Sequence, residues 1–148
     1  MQELGYNYRI CDIQCALGIS QFKKIGAFLR KRAEIARYYN DELAGDPRFK
    51  VPKELFGHKS AWHLYPLRIL DKKINKRALF SKFRSTNIFP QVHFIPIHIH
   101  PYYRKRFGYK VGDFPQAEQF YQEEISLPMY PTLAKKDTRR VADVLKHT

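Results

Sequence analysis

Apolar side chains at Ile13, Leu17, Ile25, Phe28, Leu29, Ile35, Ala36, Tyr39 and Leu43 recur mostly three or four positions apart, with Lys and Arg on the opposite face. That period predicts one amphipathic helix over residues 11–44. Asp12 is placed to cap its start, and Gly45, just ahead of Asp46-Pro47, to end it. At 1.5 Å per residue such a helix runs about 45–50 Å. It outreaches a chain of 148 residues, which predicts a missing neighbouring domain or subunit against it.

After Pro52 the pattern changes. Residues 62–70 are rich in apolar and aromatic side chains and read as a strand, with Pro66 arguing for an edge or bulge position. Asn75 caps a helix over 76–85 that turns Leu79, Phe80 and Phe83 inward. Ile88 to Ile99 is a second extended segment carrying Pro90 and Pro96. Asp113 caps a helix near 114–124 with Phe114, Ala117, Phe120 and Tyr121 on one side. Ile125-Ser126-Leu127 is a short third strand stopped by Pro128, and Thr132 opens a last helix, through about 145, with Val141, Val144 and Leu145 as its apolar stripe. Strands and helices interleave around a small sheet, so the class is α+β or α/β in two layers.

Composition narrows the function classes. The length suits one domain, since domains hold roughly 100–150 residues, and 44% hydrophobic residues excludes disorder. No apolar run approaches the roughly 20 residues of a membrane span, and the first residues lack signal-peptide character. A cytoplasmic protein is expected. The balance of 27 Lys+Arg against 14 Asp+Glu gives +13, which fits nucleic acid, an anionic membrane or a small polyanionic ligand. The basic residues sit in small dispersed clusters, without a zinc-finger, RNP or GxxG pattern, which disfavours nucleic acid.

Cys11 and Cys15 are too few for a disulfide framework and lack further zinc ligands, so they read as buried free thiols. His93, His98 and His100 fall within eight residues, and a strand over them would put His98 and His100 on one face. Metal binding lacks a third or fourth ligand; a polar substrate cleft and ordinary surface or core histidines both remain open. The segment Gln91–Arg106 is the densest in groups that can hydrogen-bond a phosphate or sugar. Gly5-Tyr6-Asn7-Tyr8-Arg9 offers a turn, an amide and a guanidinium ahead of the first helix. No P-loop, nucleophile elbow, GxGxxG or acid pair appears.

Leu4-Gly5-Tyr6-Asn7-Tyr8-Arg9, Asp12-Ile13-Gln14 with Ala16-Leu17-Gly18 and Gln21, then Arg32, Ile35, Ala36 and Tyr39 resemble the start of the C-terminal half of the DegT/StrS family of pyridoxal-phosphate-dependent sugar aminotransferases. Gln91-Val92-His93-Phe94-Ile95-Pro96-Ile97-His98, Pro101-Tyr102-Tyr103, and Phe114-Pro115 with Ala117-Glu118 leading to Leu127-Pro128-Met129-Tyr130-Pro131 continue the likeness over nearly the whole chain. The stretch from Ile95 to Tyr103 most resembles the UDP-sugar transaminases of pseudaminic acid biosynthesis.

The resemblance implies an α+β small domain, with residues 1–44 as the linking helix, that closes the substrate cleft of a fold-type I enzyme. The Schiff-base lysine and most phosphate ligands belong to a large N-terminal domain whose motifs are not found in this chain, so Met1 reads as an internal methionine and the chain as a fragment. It implies a cytoplasmic homodimer that transfers an amino group from glutamate to a 4-keto-6-deoxy UDP-sugar with pyridoxal 5'-phosphate. The fragment alone is expected to bind no cofactor or metal and to be inactive. Asn7 matches the residue that reaches the cofactor phosphate across the dimer, Arg9 a neighbour facing the same cleft, and His93, His98 and Tyr103 the region near the nucleotide-sugar. Phe94 stands where many relatives have Tyr, and Cys11 where Ser or Thr is usual. Two other readings remain: a non-catalytic basic module for a nucleotide-sugar or nucleic acid, and an orphan that self-associates through residues 13–43.

Overall fold

The computed structural model describes Gly5, Tyr6 and residues 8–148. Helices α1 (Asp12–Phe22) and α2 (Ile25–Leu43) lead into β1 (Phe49–Lys50), β2 (Tyr65–Ile69) and α3 (Lys76–Ser85). A 3-10 turn at Ile97–Ile99, α4 (Pro101–Phe107), α5 (Pro115–Glu123), β3 (Glu124–Leu127) and α6 (Lys135–Lys146) complete the order. The strands form one antiparallel sheet, β1-β2-β3. The fold is the α+β arrangement of a small antiparallel sheet packed with helices.

Opposite residues across an antiparallel pair share a face, so the register separates the sheet into two chemistries. Tyr65 faces Leu127, Leu67 faces Ile125 and Ile69 faces Phe49, and all six are buried with Ile35, Tyr39 and Leu43 of α2, Leu79 and Phe83 of α3, and Val141 and Leu145 of α6. Each such side chain contributes roughly 1.5–3 kcal/mol by leaving water. The other face pairs Pro66 with Ser126 and Arg68 with Glu124. It is polar although β3 is buried along its whole length.

Pro66 lies in the middle strand, not in an edge strand. Its position is nevertheless locally an edge. Ser126 exchanges both backbone hydrogen bonds with Gln91, so Pro66 and Ser126 form a pair without mutual hydrogen bonds, and the donor that proline lacks would point toward β1. That strand has already ended, since Lys50 pairs with Arg68. No ladder bond is lost.

The single helix expected over 11–44 is two helices, broken at Lys23–Lys24. Lys24 N–H turns to the carbonyl of Gln21, three residues back, before Phe28 N–H resumes the ladder on Lys24. Leu17 and Ile25, eight positions apart, still share one helical face, so the apolar spacing carries no mark of the break. α1 has no buried residue, and burial on α2 begins only at Ile35. Asp12 is the first helical residue behind an N-cap Cys11, whose N–H is taken by Gln14 Oε1 at 3.1 Å. The C-cap of α2 is Ala44, one residue before Gly45.

The Asn75 cap is present, with Ala78 N–H donating to its Oδ1 at 3.0 Å. Residues 88–99 are not a strand. Only Gln91 bridges to β3, because Pro90 and Pro96 remove donors on either side, and His98 and His100 leave the one-face geometry for the 3-10 turn. α5 is capped by Phe114; Asp113 instead accepts Lys110 N–H. The side of α5 that carries the apolar residues is partly uncovered, with Phe114 47% and Phe120 37% exposed. α6 starts at Lys135, after a turn that holds Thr132. Cys11 is exposed and Cys15 half-buried; both are free thiols but not buried ones.

Candidate functional site

The polar face of the sheet builds the first cluster. Glu124 and Ser126 sit two apart on β3 and so point the same way; Glu124 is fully buried and Ser126 nearly so. The Gln91 bridge lays the following residues across them. His93 N–H donates to Glu124 Oε2 at 3.0 Å, His93 Nδ1 lies 2.8 Å from Ser126 Oγ, and the Ser126 hydroxyl donates to Glu124 Oε1. His93 is therefore held through both its backbone and its ring.

His98 belongs to a second cluster. It is buried in the 3-10 turn, with Nε2 2.8 Å from Glu118 Oε1, an oxygen that also accepts Gly112 N–H at 2.7 Å. The Gly112 N–H and then the His98 ring hold the Glu118 carboxyl below its ordinary value. Gly112 takes φ of 101°, a conformation that glycine adopts freely. An unbroken run of aromatic contacts joins His98 to Phe114, Tyr109, Phe107, Tyr103 and Tyr102, with centroid separations of 4.8–6.2 Å. Tyr103 thus shares the cluster of His98, while His100 is exposed and reaches only the Ile95 carbonyl.

Arg9 is exposed in the extended segment before α1. Asn7 lies outside the described residues. Among the described residues no hydrogen bond joins Arg9 to either cluster, and no group of three or more His, Cys, Asp or Glu is placed to hold a metal ion. Among the described residues no helix is long and apolar enough to cross a membrane.

Sequence reasoning missed Glu124, Ser126 and Glu118. The first two carried a signal: polar residues at alternate positions in a strand whose other residues are Ile125 and Leu127. Glu118 belongs to the family likeness but had no role assigned, since its partners lie on a turn six residues upstream and in the 3-10 turn twenty residues upstream.

Tested as a holder of pyridoxal phosphate, the groove beside Lys76 falls short. Such a site needs a reactive amine and a ring of donors for the phosphate. Burial holds the Lys76 amine below its ordinary value, against the pull of Glu124, but its Nζ donates to the Tyr121 carbonyl at 2.7 Å. The groove beside it, about 540 Å³ between α3 and α5, is open and rimmed by Lys76, Arg77 and Arg84. We assign no step through the cofactor to these residues.

Comparison with known proteins matches this geometry to one group. The chain is 46% identical over 146 residues to the uncharacterized protein MJ1066 of Methanocaldococcus jannaschii, covering 97% of this chain and 38% of that protein. It is 38% identical to the UDP-4-amino-4,6-dideoxy-N-acetyl-beta-L-altrosamine transaminase of Campylobacter jejuni, covering 98% of this chain and 38% of the relative. Among solved structures, Helicobacter pylori PseC, an aminotransferase involved in pseudaminic acid biosynthesis, superposes with a TM-score of 0.87 at 34% identity, over 98% of this chain and 39% of PseC. The chain therefore spans less than two-fifths of the length of these relatives. The model of the DegT/DnrJ/EryC1/StrS aminotransferase family matches residues 1–146, and the chain belongs to that family.

Proposed function

We propose that this chain is the C-terminal part of a cytoplasmic, homodimeric aminotransferase that moves an amino group from glutamate to a 4-keto-6-deoxy UDP-sugar, and that it is inactive alone. The observation that carries the reading is the match of nearly all of this chain to 38% of the altrosamine transaminase. The exposed apolar residues support it: Ile13 is 82%, Leu17 62% and Phe22 72% exposed on α1, and exposed apolar patches on this scale mark interfaces. The large domain brings the lysine and the cofactor, whose chemistry is to stabilise the carbanion of the transferred amine. This chain brings Asn7 to the cofactor phosphate across the dimer, and Arg9, His93, His98 and Tyr103 to the substrate side of the cleft.

The test is complementation in trans. The remaining N-terminal part of the Campylobacter jejuni transaminase, produced as a separate polypeptide with this chain, is expected to form a stable complex that aminates a UDP-4-keto-sugar in the presence of glutamate. Neither part is expected to do so alone. A soluble N-terminal part that neither binds this chain nor gains activity from it would overturn the reading.

A further inference from the structure

Ser126, His93 and Glu124 have the composition of a hydrolytic triad, but the hydrogens run the wrong way for one. A triad serine gives its proton to the imidazole, whereas here the Ser126 hydroxyl donates to Glu124 Oε1. From this we infer that Glu124 and Ser126 are positioning residues that keep the ring proton of His93 on Nδ1, so that an unprotonated Nε2 is presented as an acceptor to a hydroxyl or amide N–H of the ligand.

The reasoning starts from the one donor that cannot rotate. The backbone N–H of His93 points at Glu124 Oε2 from 3.0 Å, and a carboxylate offers only acceptors. The second oxygen takes the Ser126 hydroxyl proton. Ser126 Oγ then has only lone pairs left for the ring atom 2.8 Å away. Nδ1 must supply the hydrogen. In a neutral imidazole that leaves the lone pair on Nε2. Among the described residues no hydrogen bond engages Nε2, and no side-chain nitrogen or oxygen is sealed from solvent without a partner. Nε2 is therefore open to a ligand.

The consequence is chemical selectivity. A neutral His93 in this state cannot donate to a phosphate oxygen through Nε2; it accepts from a sugar hydroxyl, an acetamido N–H or a base N–H. That the donor belongs to a nucleotide-sugar rests on the proposed function. The placement of the proton does not.

Long-range 1H–15N correlation spectra of the full, 15N-labelled chain, taken above the ordinary histidine pKa of about 6.5, read the two ring nitrogens directly. The expected result is a protonated-type Nδ1 shift and an unprotonated-type Nε2 shift for His93. Glu124→Gln should exchange the two. Its carbonyl oxygen must face the fixed His93 N–H, so its amide hydrogens face Ser126, and the serine proton turns to Nδ1. Ser126→Ala should give the mixed signals of an unrestrained imidazole. Finding the proton on Nε2 in the parent chain, or an unchanged tautomer in a folded variant, would overturn the inference. Should Glu124→Gln fail to fold, the parent and Ser126→Ala spectra decide. None of these readouts needs an active enzyme, so failure of the functional reading would be seen separately.

Discussion

Arg32 on α2 places Nη1 2.9 Å from the carbonyl oxygen of Met129, 97 residues later in the chain. The same nitrogen lies 3.1 Å from the Trp62 carbonyl and 3.0 Å from that of His63. One guanidinium thus ties the approach to β2 and the exit from β3 to the first buried turn of α2. Hydrogen bonds from a charged donor are worth about 1.5–3 kcal/mol each. Arg32→Ala is expected to lower unfolding free energy by about 2–4 kcal/mol in urea, with Arg32→Lys recovering part of it. A change below about 0.5 kcal/mol, the usual range of a surface substitution, would contradict the assigned role.

Tyr39 separates packing from hydrogen bonding. Its ring is fully buried, 4.9 Å from that of Tyr65, and its hydroxyl donates to the Pro128 carbonyl at 3.0 Å. Burial pushes its phenol pKa far up, so it stays a donor at any ordinary pH. Tyr39→Phe should cost about 1 kcal/mol and Tyr39→Ala about 3–5 kcal/mol, both read from urea midpoints. Equal losses for the two would show that the hydroxyl, not the ring, dominates.

Acid should weaken the fold through specific carboxylates. Arg48 holds Asp46 below its ordinary pKa, chiefly through their side-chain hydrogen bond, and Gly112 and His98 do the same for Glu118. A folded-state pKa below the unfolded one gives stability that is present above the unfolded value, about 4, and is lost as pH falls through the folded value. The urea midpoint should therefore drop across that acid window. Asp46→Asn should flatten part of the drop, and an unaltered acid slope in that variant would count against the pair.

α1 should be dispensable for stability of this chain and important for association. Ile13→Lys with Leu17→Glu alters only exposed positions, so unfolding free energy should move by less than about 0.5 kcal/mol per site. Light scattering should show less self-association than in the parent. A large loss of stability would mean that α1 packs on its own domain.

Local chemistry was legible in the sequence where it acts within a few residues. The Asn75 cap, the inward Leu79 and Phe83, and the stop at Pro128 all follow from neighbours along the chain. The break at Lys23–Lys24 did not stand out, because the apolar residues on its two sides keep one helical stripe across it. The stretch from Ile88 to Ile99 misled because its extended, proline-bearing backbone resembles a strand but lacks the donors for a ladder. Of the site, His93 and His98 were visible as polar groups in an aromatic segment. Their partners Ser126, Glu124 and Glu118 come from later elements, and only register and turn geometry bring them into reach.

We propose that this chain completes the substrate cleft of a nucleotide-sugar aminotransferase. The most direct measurement is steady-state kinetics of a chimera in which this chain replaces the matching C-terminal part of the Campylobacter jejuni transaminase, with glutamate and a UDP-4-keto-sugar as substrates. Amination is predicted, and His93→Phe in the chimera should raise KM for the sugar about tenfold, the effect of roughly 1.4 kcal/mol, with a smaller change in kcat. A folded, cofactor-loaded chimera that does not aminate the sugar, or one whose KM ignores His93→Phe, would contradict it.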